Sequence, residues 1–279
     1  MGNIQIVTDS TIDLSEEERK ALGIHIVPLN IYVNGQSYTD RVDLEPDQFL
    51  DLMREADELP KSSQPAVGVF KELYDELGRN GDEILSIHMT GGMSGTVKAA
   101  QQAAQLTEAK VTVIDSTFIS FGLQFQVREA VEYAKKGKTM EEIVAHLDEV
   151  RKRTTLFVVV DTLDNLVKGG RIGKGRAMLG SLLNIKPIAM LQEGVYAPVG
   201  KARSHKQVVT QLLKAFEEDT AGKKVKGVGI AHANGLKMGQ PLQEQLEARG
   251  HEVPLAFTTP IISTHTGEGA IGFMYYTED

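Results

Sequence analysis

Ile84-Leu85-Ser86-Ile87-His88-Met89-Thr90-Gly91-Gly92-Met93-Ser94-Gly95-Thr96, continued by an alanine-rich stretch to Leu106, decides the fold class. Residues 84–89 are mostly apolar and of strand length, so they read as a buried strand. The glycine and hydroxyl cluster that follows has turn character. From Thr96 to Leu106 the composition favours a helix. Strand, glycine-rich turn and helix in immediate succession are the repeating unit of a parallel sheet with helices on its faces.

The flanking chain extends this pattern. Ile4–Val7 reads as a strand ending at Thr8-Asp9-Ser10. Ser15 and Glu18 then have capping-box spacing, with Leu14 as a hydrophobic staple. Ile24–Val33 reads as extended, and Pro46 opens a helix that puts Phe49, Leu50 and Met53 on one face. Val111–Ile114 is another strand, ending at Asp115-Ser116. Two helices follow: one carries Leu123, Val127, Val131 and Ala134 and stops at Gly137, and the next starts with a capping box at Thr139 and Glu142. Ligands of such sheets bind beyond the carboxyl ends of the strands, which places Asp9-Ser10, Ser94 and Asp115-Ser116 near one another.

Near Leu156–Val160 the order changes. Ile185–Leu191 and Val195–Val199 flank Glu193-Gly194, a hairpin signal. A helix (Lys206–Phe216), a strand (Val225–Ala231), a helix (Leu236–Ala248) and two extended runs (Val253–Phe257 and Ala270–Tyr276) complete a mixed α+β unit. The expected architecture is α/β: a parallel-sheet, Rossmann-like domain over residues 1–160, a mixed α+β domain over 161–279, and a ligand at their interface.

Composition narrows the function. Hydrophobic residues make up 41% of the 279 and charged residues 24%, a balance suited to a globular protein. A net charge of -8 disfavours nucleic acid and anionic lipid as main partners. The chain has no cysteine, which excludes thiolate metal sites and thiol nucleophiles and fits a cytoplasmic location. No apolar run approaches the length of a membrane span, and the start reads as a strand rather than a signal peptide.

Three clusters supply small neutral donors: Ser62-Ser63-Gln64-Pro65, the 91–96 segment, and His265-Thr266-Gly267-Glu268-Gly269. None contains a P-loop lysine. Together they suggest an anionic head group held by hydrogen bonds rather than by a fixed counter-charge. Each cluster also has a plainer reading. Ser94 at a strand-to-helix junction can be a simple cap, although the preceding glycines let a backbone approach a ligand. Ser62-Ser63 reads as an ordinary cap and turn unless it faces Ser94. His265 taken alone reads as a surface loop residue. The other histidines show no metal-ligand spacing. Asp9, Asp115 and Asp161 end strands, where hydrogen bonding to turn backbone is a plainer duty than holding a metal. Gly169–Arg176 is a basic, glycine-rich stretch with Arg171, Lys174 and Arg176, and Lys201–Lys206 is a second. Either can bind phosphate or an acidic partner, or be a solvated loop.

Taken in order, Thr8-Asp9-Ser10, Ser62-Ser63-Gln64-Pro65, Met93-Ser94-Gly95-Thr96, Val113-Ile114-Asp115-Ser116, Gly169-Gly170-Arg171-Ile172 and His265-Thr266-Gly267 resemble the DegV family across the whole chain. The resemblance implies a fatty-acid-binding protein similar to the binding subunit of a bacterial fatty acid kinase. Such a subunit has no catalysis of its own and no cofactor or metal. It presents a long-chain fatty acid to an ATP-dependent kinase, with transient membrane contact, and the acyl phosphate passes on to phospholipid synthesis. Carried onto this chain, the resemblance puts the carboxylate against Ser62, Ser63, Ser94, Gly95, His265 and Thr266. It puts Arg171 and Arg203 near the head group, serving the acyl phosphate or the kinase. Two departures stand out: Ser62 where the family usually has Thr, and Glu268 where Pro usually follows His-Thr-Gly. A competing expectation is a serine hydrolase with Ser94 as nucleophile and His265 as base. A third is a small-molecule or phosphate-binding module with no lipid role.

Overall fold

The computed structural model describes residues 3–178 and 185–278. Its strands are β1 (Ile4–Asp9), β2 (His25–Val27), β3 (Asn30–Val33), β4 (Gln36–Thr39), β5 (Lys61–Ser63), β6 (Glu83–His88), β7 (Lys110–Asp115), β8 (Thr154–Val159), β9 (Lys186–Gln192), β10 (Val195–Ala202), β11 (Lys224–Ala233), β12 (Leu255–Phe257) and β13 (Ala270–Glu278). The helices are α1 (Glu16–Leu22), α2 (Pro46–Glu55), α3 (Val67–Gly78), α4 (Thr96–Gln105), α5 (Ser120–Lys135), α6 (Met140–Lys152), α7 (Asp164–Lys168), α8 (His205–Thr220), α9 (Leu236–Glu247) and α10 (Pro260–Thr266), with a 3-10 turn at Gly173–Met178.

The described residues form three sheets. The first is parallel in the order β2-β1-β6-β7. The second has six strands in the order β10-β9-β8-β13-β11-β12, antiparallel except at the β11–β12 edge. The α/β class and its parallel first sheet are as the sequence implied. β8 is a central strand of the second sheet although it lies before residue 160, so the change of sheet comes at Thr154. The third sheet, β4-β3-β5, is small and antiparallel and has no counterpart in the sequence reading. The extended run Ile24–Val33 divides between two sheets. Its middle holds Pro28, which has no N–H to give a ladder; β2 before it pairs with β1 and β3 after it with β4.

Local signals explain many boundaries. Both capping boxes form, Ser15 with Glu18 and Thr139 with Glu142. Gln192 and Val195 pair across Glu193 (φ 52°) and Gly194 (φ 76°), a turn that needs two positive φ values.

Helix α5 joins the two large sheets. Leu123, Val127 and Ala130 enter a core with Ile6, Leu85 and Ile87 of the first sheet. On its other side, Phe121 and Phe125 enter a core with Leu156, Val158 and Met274 of the second. A helix apolar on two sides belongs between layers. That second core also holds the cavity described next.

Candidate functional site

A cavity of about 320 Å³ is lined by both halves of the chain. The first half contributes Ser62, Ser63 and Gln64 from β5 and its exit, and Met89, Met93, Ser94 and Gly95 from the turn between β6 and α4. The second half contributes Arg171, Tyr196, His265 and Thr266, with Val158, Leu166, Leu191, Ile261 and Ile262 as apolar wall. Leu29 and Ile119 complete that wall. The volume sits at the small end of the roughly 300–1,000 Å³ found for small-molecule sites.

The β6–α4 turn is fixed from beneath by two aspartates. Asp9 accepts from the Met89 N–H (2.8 Å) and Asp115 from the Gly91 N–H (3.1 Å). Neither lines the cavity, so their duty is to the turn backbone, the plainer of the two sequence readings. Gly92 lies against the β9–β10 hairpin: a Cβ there would stand 2.7 Å from the Gly194 carbonyl oxygen. Thr90 Oγ1 also donates to that carbonyl (2.9 Å). At Gly95 a Cβ would collide with the Gln64 amide, 1.8 Å from Oε1. At positions 92 and 95, then, the missing side chains let neighbouring protein approach.

Ser94 directly precedes Gly95, the N-cap of α4. Its Oγ lies 2.8 Å from Thr96 Oγ1 and accepts from the Thr96 N–H at 3.3 Å. Ser62 belongs to β5 rather than to a cap or turn, and its Oγ is 2.7 Å from His265 Nε2. Ser63 lines the same cavity. Thr266 gives its hydroxyl hydrogen to Ile262 O (3.2 Å).

His265 is not a surface loop residue. It stands on α10, and its Nδ1 is buried without a hydrogen-bond partner among the described residues. A Cβ at Gly169 would come within 2.3 Å of that nitrogen, so the glycine seats the ring. Burial, helped by the positive charge of Arg171, pulls the imidazole down to about 4. The ring is therefore neutral near pH 7 and has one N–H to give.

The site is not wholly neutral. Arg171 lines the cavity and is anchored through Nε to Met93 O (3.1 Å) and through Nη1 to Gly169 O (2.6 Å). Burial lowers its pKa without removing its charge. The expectation of a cup with no counter-charge is corrected accordingly. Arg203 is exposed and absent from the cavity lining; its backbone N–H goes to Gln207. The structure thus brings Ser62, Ser63, Ser94, Gly95, His265, Thr266 and Arg171 together and leaves Arg203 outside. The hydrolase geometry is not formed either, since His265 bonds Ser62 and Ser94 bonds Thr96. A ring pulled down to about 4 is also a weak general base.

The model of the DegV family, described as "Uncharacterised protein, DegV family", matches residues 3–278. A DegV domain-containing protein of Listeria monocytogenes is 44% identical over 281 residues, 100% of both chains. The chain belongs to the DegV family. Two solved DegV structures share its fold. The fatty-acid-binding DegV family protein from Thermus thermophilus is 34% identical with a TM-score of 0.94, covering 99% of this chain and 100% of that one. DegV from Bacillus subtilis, a fatty acid binding protein, is 31% identical with a TM-score of 0.91 and 100% coverage of both.

In this DegV chain Glu268 does not reach the cavity. Arg54 Nε holds it at 3.0 Å, and Asn234 Nδ2 donates to it at 2.8 Å. Its negative charge is thus met outside the cavity. Gln64 and Tyr196, to which sequence reading assigns no role, also line the cavity. Gln64 stands inside the Ser62-Ser63-Gln64-Pro65 motif and is readable from it. Tyr196 is not, because no motif surrounds it; its hydroxyl is buried with no hydrogen-bond partner among the described residues.

Proposed function

We propose that the protein holds a long-chain fatty acid with its carboxylate at Ser62, Ser63, Ser94, Gly95, His265 and Thr266, and presents it to a separate ATP-dependent kinase. One observation carries the reading: a single cavity is lined by hydroxyl-bearing side chains, a neutral histidine and Arg171 together with apolar side chains from both halves of the chain. The two structural relatives named above bind fatty acids, which supports the same ligand class here.

Each buried methylene contributes about 0.8 kcal/mol, so roughly a dozen contribute on the order of 10 kcal/mol before entropy costs. The tail can then supply most of the affinity. Hydroxyl donors orient the head, each worth about 1.5–3 kcal/mol to a charged acceptor. A neutral His265 adds one N–H, and Arg171 adds charge with two of its donors already given to backbone. Such a head group stays reachable by a phosphate donor.

The sequence holds no P-loop lysine, so the ATP chemistry falls to the partner. Arg203, exposed and outside the cavity, suits contact with that kinase or with the phosphate being transferred. Arg203→Ala is expected to slow kinase-dependent phosphorylation more than it weakens lipid binding; equal losses would remove that division of labour. Mass spectrometry of the protein as purified tests the ligand class. Co-purifying long-chain acids are the expected result, and lipid-free protein carrying only phosphate would overturn the proposal.

A further inference from the structure

The apolar cavity has a small annex of about 30 Å³. Ile119, Val158, Ile262 and Thr266 line both spaces. The main cavity lies over β10, β9 and β8 through Tyr196, Leu191 and Val158. The annex lies over β8, β13 and β11 through Leu156, Met274 and Ala231. A chain crossing the second sheet from Tyr196 past Val158 therefore arrives at the annex.

The annex is not purely apolar. His232 and Thr258 line it, 4% and 5% exposed, and His232 Nδ1 and Thr258 Oγ1 have no hydrogen-bond partner among the described residues. The Thr258 N–H donates to His232 O (2.9 Å), which ties the two residues together. Phe257 packs on the imidazole at 4.3 Å between ring centroids. A buried donor and acceptor left without partners are costly, and a hydrocarbon tail satisfies neither. A space this small takes one water or one hydroxyl.

We propose that the acyl cavity has a second polar end, at which His232 and Thr258 hold a hydroxyl carried at or next to the far terminus of the chain. The protein would then accept ω-hydroxylated long-chain acids, and prefer them where chain length brings the hydroxyl to the annex. This deepens the fatty-acid reading and rests on it. The hydroxyl both donates and accepts, so it can serve a neutral imidazole nitrogen and a threonine hydroxyl together. A site built to bond a hydroxyl discriminates against the analogue lacking it.

The test is competition binding with lauric, palmitic and stearic acids and their ω-hydroxy counterparts, on wild type, Thr258→Val and His232→Phe. For one chain length the hydroxy acid is expected to bind roughly 5- to 10-fold tighter than the plain acid, about one neutral hydrogen bond's worth. Thr258→Val, which keeps the shape, is expected to erase that preference and leave plain-acid affinity unchanged. His232→Phe is expected to erase it as well. Equal or weaker binding of every hydroxy acid by wild type would overturn the inference and leave the fatty-acid reading intact. So would a preference that survives in Thr258→Val. Failure of all six acids to bind would overturn the fatty-acid reading, and this inference with it.

Discussion

Two histidines in this protein each bond a serine, and the two pairs do different work. His88 is fully buried, with Nε2 2.7 Å from Ser86 Oγ and Nδ1 3.1 Å from Asp9 Oδ2. Ser86 continues to the Tyr74 hydroxyl at 2.8 Å, and Asp9 also accepts from Thr11 and from the Met89 N–H. Both ring nitrogens are taken and none of these side chains lines the cavity. His265 bonds Ser62 through Nε2, its Nδ1 has no partner among the described residues, and the residue lines the cavity beside Arg171. A Ser–His contact alone therefore does not mark a site. What separates the pairs is spare hydrogen-bonding capacity next to a space that a ligand can enter. The first pair braces the β6–α4 turn from below, and the second meets what lies above it.

Substitution at the two pairs should separate bracing from binding. The largest effect is expected from Asp9→Ala. Asp9 accepts from Thr11, His88 and Met89, and each buried donor left unpaired costs about 1–3 kcal/mol. The urea midpoint should fall sharply, and a midpoint near wild type would show that the His88 network is not a brace. Ser94→Ala comes next. It should weaken fatty acid retention roughly 10- to 100-fold, as expected for a hydrogen bond to a charged acceptor, with little change in the urea midpoint. Wild-type retention would take Ser94 out of the head-group site.

The pH dependence sharpens the comparison. His265 is pulled down to about 4 from an ordinary 6.5, so between those values the unfolded chain binds the extra proton. Stability contributed at this position falls as pH drops through that window. Asp13 and Asp40, raised to about 7 mainly by burial, act in the opposite sense: folded, they keep protons that the unfolded chain releases above about 4, so they cost stability as pH rises from about 4 to 7. Relative to wild type, His265→Gln should gain stability progressively as pH falls from 6.5 to 4, read by denaturation at a series of pH values. A constant offset would mean that the ring is not desolvated. Loading the protein with fatty acid should raise the imidazole pKa, because the carboxylate adds negative charge beside it. The smallest effect is expected at Glu268. Its contacts with Arg54 and Asn234 are at the surface, so Glu268→Gln should change stability by less than about 1 kcal/mol and leave lipid retention unchanged. A large change in retention would place that charge at the head group after all.

Much of the fold was legible because its signals are local. Ser15 and Glu18, Thr139 and Glu142, and Glu193-Gly194 each act within four residues, and each formed the expected cap or turn. The third sheet was not legible. β4 is Gln-Ser-Tyr-Thr, with no apolar face of its own, and β5 is the three residues Lys-Ser-Ser; both are strands only because β3 lies between them. The same separation hid the character of His265, whose partner Ser62 is 203 positions away. Ordered motifs brought the two into one reading through family resemblance, whereas the residues taken singly pointed to a cap and a surface loop. The basic stretches show the limit of counting charge: Arg171 is drawn into the cavity by Met93 O and Gly169 O, while Arg203 stays outside.

The most direct measurement is a crystal structure of the protein with palmitic acid bound. The account predicts carboxylate oxygens within hydrogen-bond distance of Ser94 Oγ and of Ser62 Oγ or His265 Nε2, and a tail running past Ile119, Val158 and Ile262 over the second sheet. A carboxylate lodged elsewhere, or a tail lying outside this cavity, would contradict it.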